Sequence, residues 1–247
     1  MGAHKREVDL QEHYRAWWSS KRDALNRSRA EDWSSGSAYE MICLFGKGGV
    51  LLDVGCGNAQ LLAHLAPHFD EVVGIDYSPS MLEAAAQRLQ DFHVRNARLE
   101  VGDACGFPRS VVHADVILSN GVAQHLSPSE IGRHLRECRR VLRPGGCVGI
   151  CSIPWATLRT PFSLGTLRDP APERSLRRTL QSLHRRLHLR LADFRNDFSG
   201  NAMGRWYGRD EVRSIADAEG FDCDIVSSWY YEYRFHARLR LRDGRRQ

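Results

Sequence analysis

The stretch VLLDVGCGNAQ, residues 50–60, decides how the rest of the chain is read. Four of its first five residues are apolar, which fits a short buried strand. Gly55-Cys56-Gly57 follows at once, and two glycines after a strand let the backbone come close to a bound group. A dinucleotide-binding turn would read G-x-G-x-x-G, with a helix start facing a pyrophosphate. Here Gln60 stands where the third glycine would be and would crowd a diphosphate. Asp53, at the strand end, is also unwelcome beside phosphates and suits a cationic or amino group.

Further along, strands and helices alternate. Residues 9–46 read as helices carrying an aromatic group of Tyr14, Trp17 and Trp18. After the strand at 50–54 come a helix over Ala59–Phe69, a strand over Glu71–Ile75 and a helix over Pro79–Gln90. Short strands at Leu99–Val101 and Asp115–Ser119 precede Ser127-Pro128-Ser129-Glu130, a capping box with proline at the first helical position. Ile131, Leu135, Cys138, Val141 and Leu142 then share one helical face, and Pro144-Gly145-Gly146 ends that helix. Cys147–Ile153 is a fifth strand, 210–219 a helix, and Asp224–Ser228 and Tyr233–Leu239 are closing strands. Such alternation predicts an α/β fold with a mostly parallel sheet covered on both faces. The last connection is too short for a crossover, so the last two strands should form an antiparallel hairpin.

Three units are expected: an N-terminal helical cap (1–46), a core (47–154 and 206–247), and a helical insertion (155–205) between strand five and the next helix. In the insertion, Leu176, Leu180, Leu183, Leu187, Leu191 and Phe194 recur at helical spacing among arginines. It carries ten arginines against four acids, while the whole chain of 247 residues has a net charge of +5. The plainest reading is a helix with a solvated basic face packed on its own domain. A lid, a homodimer contact or a membrane-surface element are the alternatives, and a basic segment also attracts anionic partners. No run of residues is apolar enough for a span or a signal peptide, and the seven cysteines show no C-x-x-C spacing. A cytoplasmic protein with reduced thiols is expected.

Two later acids narrow the ligand. Asp76 ends the second strand, 19 residues after Gly57, where an acid accepts hydrogen bonds from ribose hydroxyls. Asp103, in Val101-Gly102-Asp103-Ala104, follows strand three, where an adenine edge would lie. An adenosine cofactor without phosphates and with a cationic amino-acid end suits all three acids, and S-adenosylmethionine (SAM) is such a molecule.

At this point the chain resembles the class I SAM-dependent methyltransferases of the broad small-molecule type. LLDVGCGNAQ, VVGIDYSPSML, VGDACGFP, ADVILSNGVAQHL and VLRPGGCVGI are similar to five of that family's motifs, in order. RDEVRSIADAEGFDCDIV resembles its closing elements, and the likeness covers about 41–154 and 206–240. The resemblance implies a Rossmann-like seven-stranded sheet. It places Gly55, Cys56 and Gly57 against the methionine part of SAM, Asp53 at its amino group and Asp76 at the ribose. Tyr77 and Met81 would flank the adenine, Asp103 and Ala104 would meet its edge, and Asn120 would line the methionine end. It also implies a transferase reaction.

For the acceptor, a hydroxyl needs a base, and His125 follows strand four at the sheet edge where substrates of this architecture sit. A packing or capping role for His125 is the equal alternative. His134 falls off the apolar face of its helix and reads as surface. Strand four ends in Ser119-Asn120-Gly121-Val122, unlike the Asn-Pro-Pro-Tyr of amide and adenine methyltransferases, and no metal-binding cluster is evident. Tyr14, Trp18 and Trp229 are the candidate acceptor contacts. The ending WYYEYRFHARLR tilts the acceptor toward a sugar or glycan, anionic in view of the arginines, with nucleic acid disfavoured. O-methylation of a small molecule or glycan leads. N- or C-methylation of a secondary metabolite or quinone, and a silent SAM-fold binding protein, remain as alternatives.

Overall fold

The computed structural model describes residues 31–163, 167 and 204–242. Tyr14, Trp17, Trp18 and the leucine-spaced helix over 176–194 lie outside the described residues.

A seven-stranded sheet forms the centre. In chain order the elements are α1 (Glu31–Phe45), β1 (Val50–Val54), α2 (Gln60–Leu65), β2 (Glu71–Asp76), α3 (Pro79–Asp91) and β3 (Ala97–Val101). They continue with β4 (Ala114–Asn120), α4 (Pro128–Val141), β5 (Leu142–Pro154), α5 (Arg159–Ser163), α6 (Arg209–Ala218), β6 (Phe221–Ser227) and β7 (Arg234–Leu241). The strand order is β3-β2-β1-β4-β5-β7-β6. Strands β1 to β5 run parallel, and β7 lies between β5 and β6, antiparallel to both. The doubly wound architecture and the antiparallel last hairpin are therefore as the sequence implied.

The alternation of side chains along β1 explains the layers. Leu52 and Val54 face one core with Ile131, Leu135 and Cys138 of α4 and Val212 and Ala216 of α6. Leu51 faces the other, with Met41 and Phe45 of α1, Leu62 and Leu65 of α2, and Leu82, Ala85 and Leu89 of α3. Every β1 residue is buried, as expected for a central strand covered on both sides. The described part of the N-terminal segment thus packs directly on the sheet.

Local chemistry sets the boundaries. The α4 capping box forms as read: Glu130 N–H donates to Ser127 Oγ at 3.3 Å and Ser127 N–H donates to Glu130 Oε2 at 2.8 Å. A cap of this kind contributes about 1 kcal/mol. The helix after β1 is shorter than expected, because Pro67 offers no N–H and the chain tightens to a 3-10 turn over Ala66–His68. Strand β5 starts earlier than expected, at Leu142, which pairs with Ala114 before Arg143–Gly146 loops out. The ends of the inserted segment are pinned together: Trp155 bridges Tyr207, and Tyr207 N–H donates to the Pro154 carbonyl at 2.9 Å.

Candidate active site

The switch point of the sheet lies between β1 and β4, where neighbouring strands lead their helices to opposite faces, and ligands of open α/β sheets sit outside the strand ends there. The glycine turn occupies that edge. Gly55 and Gly57 have φ of 71° and 54°, left-handed values that a side chain resists. A Cβ on Gly55 would meet Val122 Cγ2 at 2.5 Å, so the loop after β4 packs straight onto the turn. A Cβ on Gly57 would meet nothing within 4 Å among the described residues. Ala59 takes the same left-handed shape, with φ of 57°, at the start of α2.

Asp76 ties this turn to β2. Its Oδ2 accepts the Gly57 N–H and its Oδ1 the Ser78 N–H, each at 2.9 Å. Burial raises its pKa, and hydrogen bonds from the Ser78, Gly57 and Tyr77 N–H groups oppose that rise. Asp53 is 2% exposed at the end of β1, and burial together with the nearby Asp76 charge pushes its pKa up to about 7. Two buried acids with raised pKa values, beside an open glycine turn, describe a site waiting for positive charge and hydroxyl donors.

Other sequence-named residues fall around the same edge. Met81 is buried in the first turn of α3, and Tyr77 is half-buried before it. Asp103 shapes the loop after β3, accepting the Cys105 N–H on Oδ1 at 2.7 Å, and Ala104 is next to it. Asn120 closes β4 beside Cys151 of β5, and its Oδ1 is buried with no hydrogen-bond partner among the described residues. Cys56 differs: its thiol is in the core, near Gly74 and Leu62, so only its backbone can face a ligand. Burial, with the nearby Asp53 and Asp76 charges adding to it, pushes that thiol well above its usual pKa.

His134 is not surface. It is 1% exposed, Nδ1 lies 2.8 Å from the Ala104 carbonyl and Nε2 lies 3.2 Å from Ser119 Oγ. Its ring also meets Phe107 edge-on at 5.8 Å. A neutral ring donating from Nδ1 and accepting at Nε2 satisfies both contacts, and burial lowers its pKa accordingly. His134 thereby joins the Asp103–Ala104 loop to β4. The signal was present in the sequence: 131, 134, 135 and 138 are one helical stripe, and the residue type hid it.

His125 lies in the 3-10 turn Ala123–His125 just past β4. Its Nε2 is 3.2 Å from Gln124 Nε2. Burial and the Arg234 charge lower its pKa to about 4, so the ring is neutral at pH 7. Arg234, first in β7, donates to the Ser152 carbonyl at 2.5 Å and to Gln124 Oε1 at 3.4 Å. Ser152 itself sits at the irregularity of β5 with φ of 56°. Its N–H donates to His236 Nδ1 at 3.2 Å, and His236 Nε2 lies 3.2 Å from Glu40 Oε1, both side chains buried.

Trp229 is exposed and tilts against Tyr39 of α1 at 6.2 Å, its N–H held by Glu40 Oε1 at 2.6 Å. It does not join the rings around Tyr233. That group comprises Phe162, from the 155–205 segment, and Tyr231, from the aromatic run 229–231, both expected from the sequence near the acceptor, with Trp206 and Tyr233, which were not singled out; centroids lie 4.6 to 6.3 Å apart. Among the described helices, none is long and apolar enough to cross a membrane. All seven cysteines are free thiols.

Comparison with known proteins bears on this edge of the sheet. The methyltransferase-domain family model matches residues 51–146, from β1 into β5. The demethylmenaquinone methyltransferase of Staphylococcus saprophyticus is 35% identical over 104 residues, which cover 41% of this chain and 43% of that protein. The EEF1A lysine methyltransferase 2 of Danio rerio is 33% identical over 112 residues, covering 42% and 48%. The chain spans less than half the length of these curated relatives. The solved DhpI–SAH complex superposes with a TM-score of 0.63 at 16% identity, covering 94% of this chain and 97% of that one. Residues 51–146 therefore match the methyltransferase-domain family, and the chain shares the fold of the DhpI–SAH structure.

Proposed function

We propose that the chain is a SAM-dependent methyltransferase that acts on an oxygen of a small-molecule acceptor, with His125 as general base. The observation that carries the donor half is the pair of buried acids around an open glycine turn. Asp53 would hold the amino group, Asp76 the ribose hydroxyls, and the unpartnered Asn120 Oδ1 would accept a hydrogen bond at the methionine end. Met81 and Tyr77 would flank the adenine, and Asp103 with Ala104 would meet its edge. The residues present thus fit SAM, and two relatives of different acceptor class match over similar shares, which suits a common donor site.

When bound, SAM supplies an electrophilic methyl group. The chain's own work is to align the acceptor and to exclude water. His125 is neutral over the physiological range. Because the Gln124 side-chain nitrogen can only donate, the His125 Nε2 lone pair faces it, and a hydroxyl would take that amide's place to be deprotonated. A base with a pKa near 4 is weak, so it serves best where the acceptor hydroxyl is itself fairly acidic. Gln124 beside it and Arg234 beyond fix its surroundings.

Isothermal titration of the purified chain with SAM and with S-adenosylhomocysteine tests the donor half. Binding of both is expected, and absence of both would sink the enzyme reading. Turnover with labelled SAM over a panel of phenols, hexoses and amines then tests oxygen against nitrogen as the acceptor atom, and a sugar against a flat ring.

A further inference from the structure

The group of rings beside His125 is not accounted for by the donor site. Phe162 of α5 lies 4.6 Å from Tyr233 and 5.3 Å from Trp206, with interplanar angles of 50° and 56°. Tyr231 adds a ring 5.6 Å from Tyr233. These residues come from three separate stretches of chain, and two contacts place them next to the base. Arg205 N–H, just before Trp206, donates to the Gln124 carbonyl at 2.7 Å. Tyr207, just after it, donates its hydroxyl to the Leu126 carbonyl. Trp206 is therefore stapled on both sides to the turn that holds His125.

Within this group the indole Nε1–H of Trp206 is buried and has no hydrogen-bond partner among the described residues. Buried donors are almost always paired, so an orphan beside a candidate base asks for an explanation. The guanidinium of Arg234 stands over the Tyr233 and Tyr231 rings at 5.5 and 5.9 Å. Positive charge and an unmade donor among tilted rings call for a flat ring that carries an oxygen acceptor.

Resting on the methyltransferase reading above, we infer that Phe162, Trp206, Tyr231 and Tyr233 form the acceptor subsite, and that it takes a phenol-type ring bearing a carboxylate or carbonyl. The Trp206 Nε1–H donates to that oxygen, Arg234 supplies the positive charge, and the ring's hydroxyl faces His125. A phenol has a pKa near 10, against 15.7 for bulk water, so its proton is the easier one for a weak base to take. The step is balanced: the phenol oxygen forms the bond to the methyl carbon, the carbon–sulfur bond breaks with its electron pair going to sulfur, and His125 receives the proton.

The test uses the full chain saturated with S-adenosylhomocysteine, and 4-hydroxybenzoate, phenol and methyl β-glucoside as probes at millimolar concentration. Titration should show 4-hydroxybenzoate binding at least tenfold tighter than phenol, and methyl β-glucoside weaker than both. Trp206→Phe should erase most of that tenfold preference, weakening 4-hydroxybenzoate far more than phenol, while S-adenosylhomocysteine affinity holds. Because a smaller ring could loosen the fold, the indole N–H resonance of Trp206 in the unmodified chain is read as well. It should shift clearly further downfield with 4-hydroxybenzoate, which accepts its hydrogen bond, than with phenol. An unmoved indole signal, no preference for the carboxylate, or glucoside binding tightest would each overturn the subsite. Failure of S-adenosylhomocysteine to bind would instead overturn the methyltransferase reading on which it rests.

Discussion

The two halves of the sheet edge are built on different principles. Around β1 and β2 the site is backbone: a left-handed glycine turn, and a carboxylate that accepts the N–H groups of Gly57 and Ser78. Around β5 and β7 it is side chain: rings from distant stretches, an arginine and an unmade indole donor. Backbone geometry tolerates little variation, since each turn residue is fixed by φ and by its neighbours. Side-chain surfaces can be exchanged without disturbing a single strand. A methyl donor shared by many enzymes suits the first arrangement, and an acceptor particular to one suits the second.

Substitutions can break this contrast one half at a time. The largest effect is expected for His125→Ala: a loss of about 10²- to 10⁴-fold in kcat with SAM affinity unchanged, measured by turnover and titration in parallel. Unchanged turnover would leave His125 only a packing role. In the unaltered protein the acid limb of the kcat profile should fall near pH 4, where the ring takes up its proton and ceases to be a base.

On the donor side, Asp53→Asn should weaken SAM binding by about ten- to a hundredfold, because it removes the proposed charged partner of the amino group. The same change should raise the melting temperature of the ligand-free protein, since a buried carboxylate with a pKa near 7 is costly to ionise. The sign follows from the shift. Folding raises this pKa, so the folded state holds its proton more firmly than the unfolded one, and the residue erodes stability as pH rises from about 4 toward 7. For the ligand the direction reverses. A cation favours the ionised acid, so SAM affinity should decline by up to about tenfold per unit as pH drops below 7, with proton release on binding. Calorimetry in buffers of different ionisation enthalpy would detect that proton.

The smallest effect sharpens the boundary between the halves. His134→Leu removes the group that joins the Asp103–Ala104 loop to β4, and should lower stability by about 1–3 kcal/mol through the unpaired Ala104 carbonyl. SAM affinity should fall only severalfold and kcat should hold. A collapse of kcat would mean that this histidine does more than position a loop.

The same division explains what could be read in the sequence. Strand β1, the glycine turn and the capping box of α4 are local patterns, each written within a few neighbouring residues, and their chemistry follows from spacing. Asp76 was visible because it closes the second apolar strand, 19 residues after Gly57. His134 was misjudged because a polar residue type outweighed its place in the apolar stripe. Nothing local links Phe162 to Trp206 and Tyr233, or Glu40 to His236 across the sheet. Those contacts exist only once β7 has been threaded between β5 and β6. Trp229 shows the converse, an aromatic residue in a suggestive run that turns toward α1.

The reversal of β7 has one more consequence. Running against its neighbours, it brings its beginning, Arg234, to the edge where the parallel strands bring their ends, such as Asn120 and Ser152. The proposed donor residues therefore come from one continuous part of the chain, up to the end of β4, and the proposed acceptor residues from a later part. A single crossover point in the sequence, after β4, separates the two specificities. On the proposed roles, a chimera joined there would keep the donor residues of one parent and take the acceptor residues of the other.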